Sequence, residues 1–479
     1  MTNTRPRYFI GIDNGSQSSK VTVFDARGRA VAEGRAELRP YDTPRPGVVE
    51  HPDDDLWTSI GEASRAAMAA FDGDVADIAG VGLCTIRFCR AVLKADGTLA
   101  QPVMSWMDDR VGMPYAPTDP EAAYVTTSSG YISHRMTGNF RDTAANYAGM
   151  WPLDPRSMRW TDDEAAYAKC GIPRSMLFDL VQPGDLLGPM TEAASAHTGI
   201  PAGVPVMATA NDKAVEALGC GLRTPDTLLV SLGTYVAGMA VGPRHIAGAS
   251  GFWTNYASEP HSYLYESGGV RRGMWTVSWY RDLLGAEASG QARQLGLSAE
   301  DYLNARAGEV PPGSDGLMTV LDWLAPDEAP FRKGSMLGFD GRHGRFHIYR
   351  SILESLAMTI HDTATRMSAE LGTEYQEVIV SGGGSRSDLM MQIHADVHGV
   401  PARRADAPSA AGLGSAICAA VGVGAYADFD GAVAAMVRPG EIFLPSRAHH
   451  RLYQCLEQVH RDVRGHTDAL YRRTYDIFG

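Results

Sequence analysis

The sequence predicts an α/β fold in two lobes, on three observations: its length, an alternation of short apolar runs with helical periodicity, and a hairpin pattern that occurs twice. At 479 residues the chain exceeds what one ordinary hydrophobic core organises. Strand-like and helix-like stretches alternate along it, as α/β architectures require. Residues 9–34 and 228–242 each place a Gly/Ser turn between two β-prone runs, which points to an internal duplication.

In order along the chain, Phe9, Ile10 and Ile12 precede the first polar turn and Val21, Val23 and Phe24 follow it, giving a hairpin. A turn at Arg27-Gly28 leads into a third short strand at 30–33. Residues 53–71 open on Asp and then carry Leu56, Trp57, Ile60, Ala63, Ala67 and Met68 at helical spacing. A strand is expected at 78–83. The apolar run 204–208 ends at Asn211-Asp212, where a helix begins that closes on glycine. Beyond Gly242 the pattern is less regular up to 337, and helical periodicity returns at 347–371, 388–398 and 410–421. No stretch reads as a long linker, so the lobes are expected to be joined tightly, as residues 1–245 and 246–479.

Composition narrows the function. A hydrophobic content of 44% with 21% charged residues belongs to the globular class. The net charge of −13 opposes a nucleic-acid backbone as main partner, although local amides and Mg²⁺ can still hold a small anion. The opening residues show no secretory pattern, and the apolar stretch at 410–426 is interrupted by glycines and too short to span a membrane. A cytoplasmic protein is expected. Six cysteines without a CxxC pair read as reduced thiols.

Three turns carry candidate chemistry. Asp13-Asn14-Gly15-Ser16-Gln17-Ser18 puts a carboxylate at a strand end and flexible donors just beyond it, a pattern suited to gripping phosphate and holding Mg²⁺, and equally found in ordinary hairpin turns. Ser231-Leu232-Gly233-Thr234 offers similar donors without a carboxylate, so the two turns can grip one triphosphate from opposite sides. Gly382-Gly383-Gly384-Ser385, between a buried strand and a helix starting near Asp388, presents bare backbone to a flat ring or ribose. Asp212, at a strand-to-helix corner, serves as a helix cap, as a carboxylate aimed into a cleft, or as both. Its place at a helix N-terminus is expected to lower its pKa. Neither a dinucleotide GxGxxG nor a GxxxxGK[ST] loop is present, so a phosphate enzyme here uses another architecture. His394 and His398, spaced i and i+4, read as ordinary helix residues rather than metal ligands.

The series IGIDNGSQS, WMDDR from Trp106, YISHRMTGNFRDTAAN from Tyr131, NDKAVEALGCG, SLGT, YRSILESLA from Tyr349, SGGGS and SAAGLGSAICAAVGVG, in this order, resembles the FGGY carbohydrate kinase family, to which xylulokinases and glycerol kinases belong. The resemblance spans nearly the whole chain. It implies two actin-like lobes, each on a ribonuclease-H-like sheet, closing on Mg-ATP and a small sugar (ketose) or polyol, with a homodimer as one possible assembly. On that resemblance Asp212 is the catalytic base and Asp13 the Mg²⁺-associated aspartate. Gly15, Ser16 and Gln17 form the first phosphate loop, and Ser231, Gly233 and Thr234 the second. Gly382, Gly383, Gly384, Ser385 and Asp388 fall at the adenosine site, and Arg87, Trp106, Asp108 and Arg110 at the sugar site.

The departures bear on the acceptor. Ile86-Arg87-Phe88 stands where xylulokinases carry Q-M-H and glycerol kinases Q-R-E, the interval between Arg110 and Tyr131 is short and lacks the K-x-x-W segment, and Asp388 replaces a usual Asn. A second reading is a nucleotide- or sugar-binding regulator that kept the fold and lost turnover. Retention of both phosphate turns with Asp13 and Asp212 favours the enzyme.

Overall fold

Two sheets of related strand order organise the chain in a computed structural model that describes residues 7–326, 329–407 and 409–478. In the first lobe, β1 (Tyr8–Asn14), β2 (Ser18–Asp25), β3 (Ala30–Glu37), β4 (Ile78–Thr85), β5 (Leu186–Pro189) and β6 (Pro205–Ala208) form a six-stranded sheet in the order β5-β6-β4-β1-β2-β3. β1 pairs antiparallel with β2 and parallel with β4, which in turn is parallel to β6. The second lobe uses β7 (Thr227–Leu232), β8 (Val236–Gly242), β9 (Phe252–Tyr256), β10 (Tyr263–Ser267), β11 (Glu377–Ser381), β12 (Ala402–Ala405) and β13 (Pro439–Phe443). Their order is β9-β10-β8-β7-β11-β12-β13, with β7 antiparallel to β8 and parallel to β11. The duplication legible in the two hairpins therefore extends to whole sheets.

One expectation is corrected. A boundary at 245 put the second hairpin in the first lobe, but β7 hydrogen-bonds β11 from Thr227↔Glu377 to Ser231↔Ser381, so both of its strands belong to the second lobe. The hairpin resembles β1–β2 because it occupies the equivalent place in the other half. The irregular stretch after Gly242 also holds more order than its sequence suggests: β9, β10 and helices over Gly273–Leu283, Gly285–Gln294 and Ala299–Gly308.

Helices cover and join the sheets. α1 (Asp55–Ala70) packs its Leu56, Trp57, Ile60, Ala63 and Ala67 face under β2 and β3. α2 (Ser128–Thr137) lies in the insertion between β4 and β5, with Thr127 as its N-cap and Gly138 at φ 75 ending it. α3 (Asp212–Gly219) leaves β6 and α6 (Ala410–Gly422) leaves β12, and these two equivalent helices pack against each other. α6 also lies on β1 and β4 of the opposite sheet. Glycine makes that approach possible: a Cβ at Gly414 would sit 1.9 Å from the Val215 carbonyl oxygen, one at Gly219 1.9 Å from that of Ala410, and one at Gly11 1.9 Å from that of Gly412. The small-residue run that rules out a membrane span is thus the seam between the lobes. α4 (Arg345–Leu371), α5 (Asp388–His398) and the C-terminal α7 (Arg447–Phe478) complete the second lobe. Among the described residues no helix is long and apolar enough to cross a membrane.

Candidate active site

The ends of β1, β6, β7 and β11 bring the predicted turns to one place. β1 delivers Asp13 opposite Lys20 of β2, and the turn between them closes with the Gly15 amide donating to the Ser18 carbonyl at 3.1 Å. Asn14 stiffens it by donating from Nδ2 to Ser19 Oγ at 2.7 Å. Ser16 and Gln17 stay at the tip, leaving amides and hydroxyl available for an anion. Burial pushes the Asp13 carboxyl up to about 6; Lys20 and Lys213 pull against this while Asp212 and Glu216 add to it.

In the second lobe, the turn after β7 is held by the Gly273 amide on the Thr234 carbonyl (2.8 Å) and the Met274 amide on that of Gly233 (3.2 Å). Thr234 is exposed. The glycine turn after β11 sits against it. Gly382 has φ 84, and a Cβ there would lie 2.5 Å from the Leu232 carbonyl oxygen, so this position requires glycine on conformation and on space. A Cβ at Gly384 would lie 2.9 Å from the Leu232 side chain, and Ser385 donates to the Gly382 carbonyl at 2.8 Å. Asp388 begins α5 under the Ser387 cap, with its carboxylate out in solvent and ion-paired to Arg404.

Asp212 is the first residue of α3, whose N-cap Asn211 accepts from the Ala214 amide at 3.2 Å. Asn211 thus takes the capping bond, while Asp212 Oδ1 accepts from the Lys213 amide at 2.8 Å and its side chain keeps 30% exposure. Burial raises its pKa, opposed by Arg87 and Lys213, so the expected lowering by the helix terminus does not prevail. Desolvation acts on the whole charge, whereas the helix terminus offers partial charges.

Arg87 places its Nε 3.5 Å from Asp212 Oδ1 and forks onto Glu266 of β10 at 2.5 and 2.9 Å. Its guanidinium lies over the rings of Phe88 and Trp253, 5.3 and 5.1 Å from their centroids. Phe88 and Arg87 come from the first lobe, Trp253 and Glu266 from the second, so this cluster clasps the two. Asn255 supports it by donating to Glu266 Oε1 at 2.9 Å and to Asn211 at 3.2 Å. Beyond Glu266 a cavity of about 510 Å³ opens, with Tyr235, Trp253, Ser267 and Arg366 in its walls.

The WMDDR residues divide. Trp106 is 48% exposed, whereas the Asp108 side chain is fully buried. Asp108 accepts from the Val49 amide at 2.9 Å and from Arg110, which also reaches Glu50 at 2.6 Å. Burial works against the Asp108 charge, but Arg110 and the amides hold its carboxyl below the usual range. Asp108 and Arg110 thus brace the loop that carries Trp106, tying it to the Val49 amide and to Glu50. Among the described residues no group of three His, Cys, Asp or Glu is arranged for a metal, and the buried His394 ring stacks on the half-buried ring of His398.

Sequence reasoning missed Lys20, Lys213, Glu216 and Glu266. The i, i+3 spacing of Lys213 and Glu216 beside Asp212 is a local signal that could have found two of them. Glu266 has no local signal; only the fold brings it to Arg87.

Comparison with known proteins decides the family. Residues 8–113 and 118–219 match the N-terminal domain, and residues 228–423 the C-terminal domain, of the FGGY family of carbohydrate kinases. The chain belongs to that family. This FGGY kinase is 48% identical over 472 residues, 98% of its length and 96% of the relative's, to YgcE of Escherichia coli (strain K12), described as an uncharacterised sugar kinase. It is 26% identical to a glycerol kinase of Bordetella parapertussis (strain 12822) over 89% of its own length and 91% of the relative's. A gluconate kinase from Lactobacillus acidophilus superposes with TM-score 0.83 at 20% identity, covering 98% of this chain and 100% of that one. A xylulose kinase from Rhodospirillum rubrum does so with TM-score 0.82 at 23% identity, covering 97% and 100%. Those two likenesses concern the fold, which is the two-lobed actin-like one expected. Family membership makes the protein a carbohydrate kinase using ATP on a small-molecule sugar, and the regulator reading is not favoured.

Proposed function

We propose that this FGGY kinase phosphorylates a hydroxyl of an open-chain ketose or polyol, with Asp212 as general base. The observation that carries the reading is the strand-to-helix corner at Asp212: Asn211 takes over capping, and the carboxylate is left beside Arg87 where the two lobes meet. Its raised pKa suits it to accept a proton, since a base works best when its pKa approaches the operating pH. Gly15, Ser16 and Gln17 from one lobe and Ser231, Gly233 and Thr234 from the other offer phosphate donors, while the bare backbone of Gly382, Gly383 and Gly384, with Ser385 and Asp388, faces the nucleoside.

Asp13, at the strand end just before the first phosphate turn, fits a divalent cation arriving with the triphosphate, because Mg²⁺ is commonly held by one or two carboxylates plus phosphates. Asp13 would hold it, and Mg²⁺ would supply charge neutralisation to the phosphates. On the acceptor side Arg87, fixed by Glu266, orients hydroxyls near Asp212, and Phe88, Trp106 and Trp253 give apolar edges against which a carbon chain can lie. Asp108 and Arg110 act through the position of Trp106.

All six cysteines are free, which supports a reducing, cytoplasmic setting. Leu470, Ile477 and Phe478 on α7 are exposed at 59%, 73% and 83%, a surface that suits pairing of two copies. ADP release with Mg-ATP, measured across pentuloses, hexuloses, aldonates, tetritols, pentitols and glycerol, tests the acceptor. The expected result is turnover with a ketose or linear polyol, and a strong preference for an aldohexopyranose would reject it.

A further inference from the structure

Lys213 directly follows the proposed base, and neither the acceptor nor the nucleotide reading uses it. Its Nζ donates to Glu216 Oε2 at 2.8 Å and to Ser231 Oγ at 3.0 Å. The other oxygen of Glu216 accepts from Ser231 Oγ at 2.7 Å and from Ser381 Oγ at 2.6 Å. Ser231 and Ser381 are register partners at the ends of β7 and β11, so each stands at the root of one second-lobe turn. An ammonium borne by the first lobe is therefore held where both turns begin.

Two features separate this arrangement from a plain helix ion pair. Glu216 is already served by two hydroxyls, so Lys213 is not its sole partner. The third N–H of Lys213 has no protein acceptor among the described residues, while its side chain keeps 20% exposure beside Asp212. Burial opposes its charge, but Glu216 and Asp212 outweigh that and raise its pKa, so it stays an ammonium.

We propose that Lys213 is a catalytic residue for phosphoryl transfer, its ammonium pairing with the oxygens of the phosphoryl group in flight. The proposal rests on the kinase reading with Asp212 as base. In the step, the acceptor oxygen bonds the γ-phosphorus and the bond from that phosphorus to the bridging oxygen breaks. Its electron pair leaves with ADP, and the acceptor proton passes to the Asp212 carboxylate. Lys213 keeps all three protons and neutralises charge where it spreads over the equatorial oxygens, the main contribution a protein makes to such a transition state.

The test compares wild type, Lys213→Gln, Lys213→Met and Lys213→Arg by steady-state kinetics and by affinity for ADP alone and for ADP with aluminium fluoride, a mimic of the phosphoryl group in flight. Lys213→Gln should lose about 100-fold in kcat, with acceptor KM and ADP affinity within about threefold of wild type, and a comparable loss in ADP-aluminium fluoride affinity. Lys213→Arg, which keeps the charge, should recover much of both. Lys213→Met, matched in length, serves in the same way where the Gln variant melts early. Near-native kcat with a raised acceptor KM would make Lys213 an acceptor contact and overturn the proposal, as would equal losses for ADP and ADP-aluminium fluoride. Asp212→Asn run in parallel separates the readings: full turnover there removes the base, while the aluminium fluoride affinities still judge Lys213.

Discussion

In the first lobe the turn between β1 and β2 follows a carboxylate, Asp13, whereas in the second lobe the turn between β7 and β8 follows a hydroxyl, Ser231. The crossing helices diverge in the same direction. Where α3 carries Asp212, Lys213 and Glu216 at its first, second and fifth positions, α6 carries Ala410, Ala411 and Gly414. One helix of the pair bears charge and the other bears only packing. The architecture occurs twice; the acids at the start of the crossing helix lie on one copy, and the other provides hydroxyls, glycine turns and Glu266, whose charge Arg87 neutralises. A cleft between unlike halves can hold a highly charged donor on one side without surrounding it with carboxylates on both.

The largest expected effect breaks that comparison at its charged end. Asp212→Asn should lower kcat by about 10²- to 10⁴-fold, roughly 3 to 5.5 kcal/mol of barrier, with ADP affinity and melting temperature retained. Wild-type turnover should fall as pH drops through a value above the ordinary aspartate range, because burial raises the Asp212 pKa and only the ionised form accepts a proton. Arg87 lowers that pKa, so Arg87→Met should move the acidic limb further up. A folded Asp212→Asn enzyme with native kcat would show that the asymmetry between α3 and α6 has another purpose.

The packing end of the comparison is tested at Gly414. A side chain there meets the Val215 carbonyl at 1.9 Å, so Gly414→Val should destabilise by about 3 kcal/mol in denaturant melts. Gly465, within α7, has nothing within 4 Å of its Cβ position, and Gly465→Ala should stabilise by about 0.5 to 1 kcal/mol through helix propensity. Equal effects at the two sites would mean that the α3–α6 seam yields freely.

Asp13 exposes a smaller asymmetry, a cost in stability borne by the first hairpin. Its folded pKa of about 6 lies above the unfolded 3.8, so the ionised carboxylate disfavours folding above pH 6, and the penalty fades as pH falls through 6 toward 3.8. Without nucleotide, Asp13→Asn should gain about 1 to 2 kcal/mol at pH 8 and little at pH 4, while losing most turnover. A variant with the same advantage at both pH values would place the effect outside this titration.

Much of this was legible in the sequence because it is local. The ends of α5, the α3 corner and the glycine turn follow from caps, apolar periodicity and glycine, each read within a few residues. The lobe boundary was not, because a hairpin looks the same whichever sheet receives it, and only the β7–β11 pairing across about 150 residues decides. The same holds for the site. Asp13, Asp212 and the turns announce themselves, whereas Glu266 stands 179 positions from Arg87 and enters through the fold alone. Asp108 was legible as a residue, but its burial between Arg110 and the Val49 amide was not, because Val49 stands 59 positions away.

The smallest effect is expected at Asp388, where the second lobe does carry a carboxylate beside the glycine turn. Its side chain is 75% exposed, and its partner Arg404 also reaches Glu441 at 3.2 Å, so removing the carboxylate leaves the cation a second partner. Exposed pairs of this type contribute between nothing and about 1 kcal/mol, and Asp388→Ala should change stability by less than that. Ser387, not Asp388, caps α5 by accepting from the Met390 amide at 3.2 Å, so the helix start survives the change. If the nucleoside is met by backbone, for which the exposed Gly382 and Gly383 are open, the KM for ATP should move by no more than about threefold. Gly382→Ala, forced against the Leu232 carbonyl, should move it far more. A tenfold or larger rise in KM for ATP in Asp388→Ala, with stability unchanged, would show a carboxylate acting on the nucleotide from the second lobe and would end the division of labour between the halves.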